Sequence, residues 1–242
     1  DKEKLNEFEA VVFNNNCGNP VQDTQRRKNL LEFVASGRGL VGIHCAAHID
    51  WPEFIEVLGG WSINHPWNAG STITLKIEET SHPLVKMFGG PTYRHTDEIF
   101  QFDRYSRARQ RVLISIDTKR TDMNVPGIIR KDGDFGLAWI RSHGKGRVFY
   151  SEFGHQKDVY WLPVILEHYL PGVVDDECVR RAARELEKLV AEPRENMVAT
   201  RDSWETVWQG VVRRGLPDVP ERLGGVPHPW IQGRYEDGDF RR

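Results

Sequence analysis

Short apolar runs alternate with amphipathic stretches over the first sixty residues. Residues 10–14 and Gly39–Ile43 are apolar nearly throughout, the pattern of strands buried on both faces of a sheet. Between them the pattern predicts a helix over 24–35 with Asp23 as its N-cap, and a second helix, Pro52–Leu58, begins at a proline. This alternation favours a parallel sheet covered by helices on both faces.

From residue 71 onward the pattern changes to short, partly alternating segments. We predict strands over 71–77, 98–102, 112–116, 137–141 and 147–151, and a helix over 159–169. The Gly144-Lys145-Gly146 turn joins the last two strands as a hairpin. Together these elements predict an α/β fold with a doubly wound, mostly parallel sheet that the hairpin extends.

The character of the chain changes again after residue 172. Residues 175–192 predict a highly charged amphipathic helix, for which a solvated face and a partner-binding face are both open. A second apolar stripe follows over 204–212, and the last part is rich in Gly and Pro without a period. The prediction is therefore an α/β domain over 1–172 followed by a helical extension and irregular tail over 173–242.

Composition narrows the class of protein. Of the 242 residues, 39% are hydrophobic and 28% are charged, with a net charge of −2, which is typical of a soluble globular protein. This balance argues against nucleic acid or an anionic membrane as a partner, and no apolar run reaches the ~18 residues of a membrane span. The three scattered cysteines fit a reducing compartment, and the cytoplasm is favoured, although a cysteine-poor exported protein would fit as well. Because the chain opens at Asp1 without Met, we expect it to begin inside a longer polypeptide whose targeting signal is not readable.

Side chains capable of chemistry follow two of the predicted strands. His44 and Cys45 come directly after Gly39–Ile43, and His155 follows the strand over 147–151. Because the carboxyl ends of parallel strands meet at one edge of a sheet, we expect these side chains to lie close together. A buried histidine bonded to a backbone carbonyl is the structural alternative for each imidazole.

Two further polar clusters lie between those strand ends in the sequence. His65 belongs to the turn-like tetrapeptide 64–67, and Asp97 and Glu98 lie at the start of a predicted strand. Imidazoles and carboxylates gathered at one edge suit either metal ligation or proton transfer. Helix or turn capping and simple ion pairing are the alternatives for the two acids.

Four motifs in order, GLVGIHCAAH, NHPW, TDEIFQFDR and GKGRVFYSEFGH, resemble the ThuA-like family, which is named for trehalose utilisation. The resemblance covers about residues 7–172 and implies the flavodoxin-like α/β fold of the class I glutamine amidotransferase-like superfamily. Amidotransferases carry a nucleophilic cysteine in a G-x-C-x-G elbow, and over 42–46 this chain places His44 there. His155 matches their triad histidine. Two imidazoles make a poor acyl-transfer nucleophile but suit a metal site or an acid/base pair.

The chain departs from the family pattern in three places. Relatives usually have a small residue where this chain has Cys45. Relatives commonly have Thr-Asp where this chain has Ala47-His48, so that Asp50 or His48 is a candidate substitute. Relatives also begin with a strand, a helix and a strand before the segment 10–15. We expect that these N-terminal strands are missing from the chain or that another chain covers the sheet edge.

The resemblance implies an enzyme of carbohydrate catabolism that acts on a disaccharide or a glycoside, including its keto form, by hydrolysis or isomerisation. The predicted catalytic residues are His44, Glu98 and His155. The predicted ligands of a divalent metal such as zinc are His44, His65, Glu98 and His155. The predicted substrate-binding residues are Trp51, Trp67, Asp97 and Tyr160, with core packing as the alternative for the rings.

Two other functions are open at this point. The chain is alternatively a non-catalytic sugar-binding or assembly module on a decayed amidotransferase scaffold, since the elbow lacks the usual nucleophile. A cysteine hydrolase using Cys45 and His155 is the third candidate. The predicted partner is a small sugar, and a homo-oligomer is open.

Overall fold

A computed structural model describes residues 2–173 of the chain. The helices are α1 (Lys2–Leu5), α2 (Thr24–Ala35), α3 (Pro52–Leu58) and α4 (Pro163–Val173). The strands are β1 (Ala10–Asn14), β2 (Gly39–Ile43), β3 (Trp61–Trp67), β4 (Thr72–Ile77), β5 (Thr92–Thr96), β6 (Ile99–Asp103), β7 (Arg111–Ile116), β8 (Gly136–His143) and β9 (Gly146–Ser151). Three short 3₁₀ helices span His44–His48, Lys86–Phe88 and Lys157–Trp161. The predicted helical extension and tail over 174–242 lie outside the described residues.

Seven strands form one mixed sheet in the order β1-β2-β9-β8-β7-β4-β5, and β3 and β6 form a separate antiparallel ribbon. Only the β1–β2 and β2–β9 pairs are parallel, and the other four pairs of the large sheet are antiparallel. The prediction of a mostly parallel sheet was therefore wrong. A two-residue turn such as the one between β8 and β9 can join only antiparallel strands, because a parallel connection needs a crossover of a dozen or more residues.

Helices cover both faces of the parallel part of this sheet, as predicted. Leu40 of β2 packs with Leu30 and Phe33 of α2 on one face. Val41 of the same strand packs on the opposite face, in the cluster that contains Ile165 of α4. The near-continuous apolar sequence of β2 follows from this burial on both sides.

The predicted ends of the first helices are confirmed. The Asp23 carboxylate accepts a hydrogen bond from the Arg26 N–H at 2.7 Å and caps α2. Gly59 ends α3 in the left-handed conformation, with φ of 98°. A residue with a Cβ would be strained at that position, which explains why a glycine follows the helix.

Three segments differ from the sequence prediction. The tetrapeptide around His65 lies in strand β3 and is not a turn, and the β3–β6 register is irregular on both sides of Asn64, which makes room for Pro66. The strand β5 was missed. The helix predicted over 159–169 is a 3₁₀ turn followed by α4, because Pro163 has no N–H to continue a helix and instead starts a new one.

None of the helices within residues 2–173 has the length and apolar character that crossing a membrane requires.

Gly146 provides a test of the β8–β9 hairpin. A Cβ at this position would collide with the backbone carbonyl groups of Val34 and Arg38. We expect Gly146→Ala to lower the free energy of unfolding by about 2 kcal/mol or more, because backbone atoms cannot move aside as a side chain can. Gly90→Ala, where the new Cβ meets nothing within 4 Å, is the matched control and should change stability by less than about 0.5 kcal/mol. Thermal unfolding of both variants checks the prediction, which is wrong if the two are equally stable.

Candidate functional site

Three parallel strands end side by side, and the next residues of each strand form the site. Asn14 of β1 pairs with Ile43 of β2, and Ile43 pairs with Ser151 of β9. The residue after β2 is His44, whose φ of 48° is in the left-handed region that non-glycine residues rarely adopt. This sharp strand-to-3₁₀ turn is the elbow that the G-x-C-x-G comparison predicted, and strain of this kind is typical of functional positions.

The ring of His44 is fully buried and its orientation is defined by two contacts. Its Nδ1 lies 2.7 Å from the backbone carbonyl oxygen of Glu152, and the ring stacks on Phe100 with centroids 4.5 Å apart. Because a carbonyl oxygen can only accept, Nδ1 carries a hydrogen and neutral His44 has its lone pair on Nε2. That Nε2 is buried without a hydrogen-bond partner and lies 3.3 Å from Glu98 Oε2.

The carboxylate of Glu98 is the point on which the predicted ligands converge. His155 Nδ1 lies 3.2 Å from Oε2, and His65 Nδ1 lies 3.3 Å from Oε1. Glu98 itself is largely buried, whereas the side chains of His65 and His155 are 56% and 37% exposed. The structure thus brings together all four residues predicted as catalytic groups or metal ligands, and His65 and His155 lie on the solvent side.

The charges of this cluster depend on each other. Burial by itself raises the pKa of Glu98, but the close contacts of its carboxylate with the His155 and His44 imidazoles, together with the positive charge of His155 and His65, outweigh burial and place the pKa well below its ordinary range. The hydrogen bond with Glu98 raises the pKa of His155, against the opposing effect of burial. Glu98 is therefore an anion at neutral pH, and His155 readily carries a proton.

These residues fit a divalent metal ion. One ligand atom from each of His44, Glu98 and His155 lies within 4.8 Å of the other two. When His44 is neutral, its unpartnered Nε2 lone pair faces a carboxylate oxygen, and a cation between them removes this repulsion. Two imidazoles and one carboxylate suit Zn²⁺ and related first-row ions.

Three residues predicted to bind substrate are instead buried. Trp51 and Trp67 are each 2% exposed: Trp51 stacks on Phe54, and the Trp67 indole N–H donates to the Asp122 carbonyl oxygen at 3.2 Å. Neither ring offers a face to a ligand, and core packing explains both. Asp97 is also fully buried and accepts hydrogen bonds from backbone N–H groups, so its predicted contact with substrate is corrected as well.

Tyr160 lies at the rim of the site, where its hydroxyl connects two loops. It donates to Asn14 Oδ1 at 2.6 Å and accepts from Asn15 Nδ2 at 3.0 Å. Its ring is half-buried. The substrate contact predicted for Tyr160 stays a prediction.

Sequence reasoning missed Asn15. Its amide group donates to the Gly154 carbonyl oxygen at 2.6 Å and accepts from the Cys45 N–H at 3.4 Å. One side chain therefore connects the elbow of His44 to the loop of His155. The three asparagines that end the β1 run were the available signal, since amide groups directly after a buried strand need partners.

Glu152 and Tyr150 form a buried pair beneath His44, and sequence reasoning missed both. Glu152 accepts the Phe100 N–H at 2.7 Å, and the Tyr150 hydroxyl lies 2.6 Å from Glu152 Oε2 and 3.0 Å from the His44 carbonyl oxygen. Burial raises the pKa of Glu152 well above its ordinary value. A protonated Glu152 satisfies every contact, because its hydrogen goes to Tyr150, whose own hydrogen goes to His44.

The other candidates of the elbow loop do not join the cluster. Burial raises the pKa of Cys45 to about 12, so its thiol stays protonated at neutral pH. His48 Nδ1 lies 2.9 Å from Ser62 Oγ, and the exposed Asp50 uses its N–H to contact the Gly18 carbonyl oxygen. Within residues 2–173, the group close enough to share one ion is His44, Glu98 and His155.

The fold and the site together define a class of protein: an α/β protein whose parallel strands end at a histidine–carboxylate cluster built around a left-handed elbow. The family model for ThuA, described as trehalose utilisation, matches residues 1–174. The chain belongs to the ThuA family, which confirms the resemblance of its motifs. No curated protein matches the chain.

One solved structure shares this fold, and two more have weaker similarity. A ThuA-like protein from Bacteroides uniformis is 21% identical, with a TM-score of 0.58 over 72% of this chain and 73% of its own. A ThuA-like protein from Parabacteroides merdae is 19% identical, with a TM-score of 0.42 over 61% and 60% of the two chains. A cytoplasmic protein from Salmonella typhimurium is 15% identical, with a TM-score of 0.49 over 70% and 72%. At these identities the first similarity establishes the fold, and the other two add nothing further.

The interaction of Glu98 with His155 gives a pH-dependent prediction for metal-free protein. The protonated His155 contributes stability that is fully present below about pH 6.5 and is lost as pH rises through its raised folded pKa. The ionised Glu98 contributes stability that is present above about pH 4.3 and is lost as pH falls through its lowered folded pKa. We expect Glu98→Gln to lower the His155 pKa toward about 6.5. The stability loss should be largest between about pH 4.5 and 6.5.

NMR titration of the histidine rings and urea unfolding at several pH values, both with a chelator present, measure these two effects. Glu79→Gln is the matched control, because that carboxylate pairs with Arg111 away from the site. An unchanged His155 pKa in Glu98→Gln would contradict the interaction.

The high pKa of Cys45 predicts low thiol reactivity. We expect iodoacetamide at pH 8 to alkylate the exposed Cys17 well before Cys45, because the thiolate is the reacting species. Peptide mass spectrometry over time distinguishes the two sites. Rapid alkylation at Cys45 would revive the cysteine-hydrolase hypothesis, as would loss of activity in Cys45→Ser.

Proposed function

We propose that this chain is an enzyme of carbohydrate metabolism that acts on a disaccharide or a glycoside, including its keto form, by hydrolysis or isomerisation. Membership of the ThuA family implies the role in carbohydrate metabolism. The finer proposal includes a flavodoxin-like core made of β1, β2, β9 and the helices on both of their faces. A small sugar is the proposed partner.

The single observation that carries the proposal is the convergence of His44, His65 and His155 on the Glu98 carboxylate. A merely structural buried histidine uses its ring nitrogens in hydrogen bonds, whereas His44 Nε2 has none. The two outer imidazoles are partly exposed, so the cluster can be reached from solvent. Such a combination of burial, shifted pKa values and access is typical of functional sites.

The chain's own residues supply metal ligands and proton carriers. His44 Nε2, Glu98 and His155 Nδ1 would hold a divalent ion such as zinc, with His65 as a further ligand from the solvent side. A bound ion of this kind would polarise a sugar carbonyl or lower the pKa of a water molecule.

In the metal-free version, the pKa directions assign the roles. The low pKa of Glu98 makes it a weak base and a good electrostatic partner, so its task is to stabilise positive charge. His155, whose pKa is raised, keeps its proton to a higher pH than an ordinary histidine does and is the better general acid.

A second candidate function is a sugar-binding or assembly module without turnover. The observation that favours it is the imidazole at the elbow, where an acyl-transfer enzyme needs a thiol or hydroxyl. Under this alternative, calorimetry detects binding of a disaccharide or its keto derivative, whereas no product forms over the same panel. Product formation that is lost in Glu98→Gln would instead support the enzyme.

Metal analysis of the purified full-length chain tests the metal version of the proposal. We expect about one divalent ion per chain in the wild type and at least a tenfold lower content in His44→Ala, because the buried Nε2 is the inner ligand. His143→Ala, at the end of β8 and outside the cluster, is the matched control and should retain the metal. Negligible metal in all three proteins after growth with added zinc would remove the metal version and leave the acid/base version.

A further inference from the structure

The carboxylate of Asp97 is fully buried beside the site, and neither metal ligation nor proton transfer uses it. Its Oδ2 accepts from the Gly154 N–H at 2.8 Å and the His155 N–H at 3.3 Å. Its Oδ1 accepts from the Glu98 N–H at 3.0 Å and the Gln156 N–H at 3.3 Å. One side chain therefore binds four backbone N–H groups.

These N–H groups come from two separate parts of the chain. Glu98 lies between β5 and β6, and residues 154–156 form the loop that follows β9. Three successive N–H groups of that loop donate to the Asp97 carboxylate. This arrangement resembles a backbone nest, in which successive N–H groups bind an anion. The loop that carries His155 is therefore positioned by a side chain and not by a strand ladder.

The peptide groups of the same loop are also held from the other side. Asn15 donates to the carbonyl oxygen of Gly154 at 2.6 Å, while Asp97 accepts from its N–H. Burial alone would raise the pKa of Asp97, but His95 and the Gly154 N–H outweigh it and lower the pKa. The carboxylate is thus charged, and charged acceptors make the stronger hydrogen bonds.

We propose that Asp97 is the positioning residue of the site, which holds the imidazole of His155 in contact with the Glu98 carboxylate. The inference rests on the proposed function, since it concerns the same cluster. The 3.2 Å separation of His155 Nδ1 and Glu98 Oε2 depends on where the loop lies, and Asp97 is bonded to the backbone of both residues. Groups that orient metal ligands in this way commonly change metal affinity by 10–100-fold, about the effect expected here.

Asp97→Asn tests the inference in the full-length chain. Asparagine keeps one accepting oxygen but turns an NH₂ group toward N–H donors, so the loop loses part of its anchor. Asp103→Asn is the matched control, because the exposed Asp103 carboxylate also accepts a backbone N–H, that of Arg104, but outside the site. Titration with Co²⁺ measures affinity, and the visible absorption of the bound ion reports ligand geometry.

We expect Asp97→Asn to bind Co²⁺ about tenfold or more weakly, with altered absorption bands, and Asp103→Asn to match the wild type. Equal affinity and identical spectra in wild type and Asp97→Asn would overturn the role of Asp97 and leave the proposed function intact. If the wild type itself does not bind Co²⁺, the metal version of the proposed function fails. Hydrogen exchange at the amides of residues 154–156 then decides the inference. Exchange must be about tenfold faster in Asp97→Asn than in the wild type, and the inference is wrong if it is not.

A second pair of variants applies if Asp97→Asn does not fold, as judged by circular dichroism. Gln156→Pro removes one of the four N–H groups that donate to Asp97. The φ of Gln156, −88°, is close to the range of proline. Gln156→Ala removes the same side chain but keeps the N–H. Weaker Co²⁺ binding or faster exchange at Gly154 and His155 in Gln156→Pro than in Gln156→Ala supports the inference, and equal values in both assays overturn it.

Discussion

The parallel pairing of β1, β2 and β9 is the constraint on which the site depends. Its register places the last residues of the three strands side by side, from Asn14 through Ile43 to Ser151. Residues that are more than a hundred positions apart in sequence, such as His44 and Glu152, thereby come within hydrogen-bond distance. A slip of one residue would point every side chain of a strand to the opposite face.

The second constraint is electrostatic. The site concentrates ionisable groups where water is largely excluded, and each of them needs a partner that offsets its desolvation. Glu98 has imidazoles, Asp97 has backbone N–H groups, and Glu152 is best accommodated in its neutral form next to Tyr150. Three carboxyl groups near one another thus differ in charge and role because their surroundings differ, which is how one fold places an electrostatic partner for the imidazoles, an anchor and a hydrogen-bond donor close together.

Much of the fold was predictable because local patterns agreed with it. Burial, capping and turn chemistry act over a few residues. They account for strand β2, helix α3, the Asp23 cap and the hairpin at 144–146. Apart from the β8–β9 hairpin, the strand directions were not predictable in the same way, since pairing partners are chosen by packing between distant segments. The strand containing His65 and Pro66 was missed because proline argues against a strand, and only an irregular two-stranded ribbon accommodates it.

The identity of the cluster was carried by the sequence alone. His44, His65, Glu98 and His155 could be proposed together because His44, Glu98 and His155 lie at the ends of predicted strands, and all four belong to family motifs that occur in the same order. The tertiary structure decided how the neighbouring residues are used. Hydrophobic burial placed Trp51 and Trp67 in the core. Asp97 turned inward because buried backbone N–H groups need an acceptor. Residue types and local periodicity are properties of the chain, whereas burial and hydrogen-bond partners exist only once distant segments have packed.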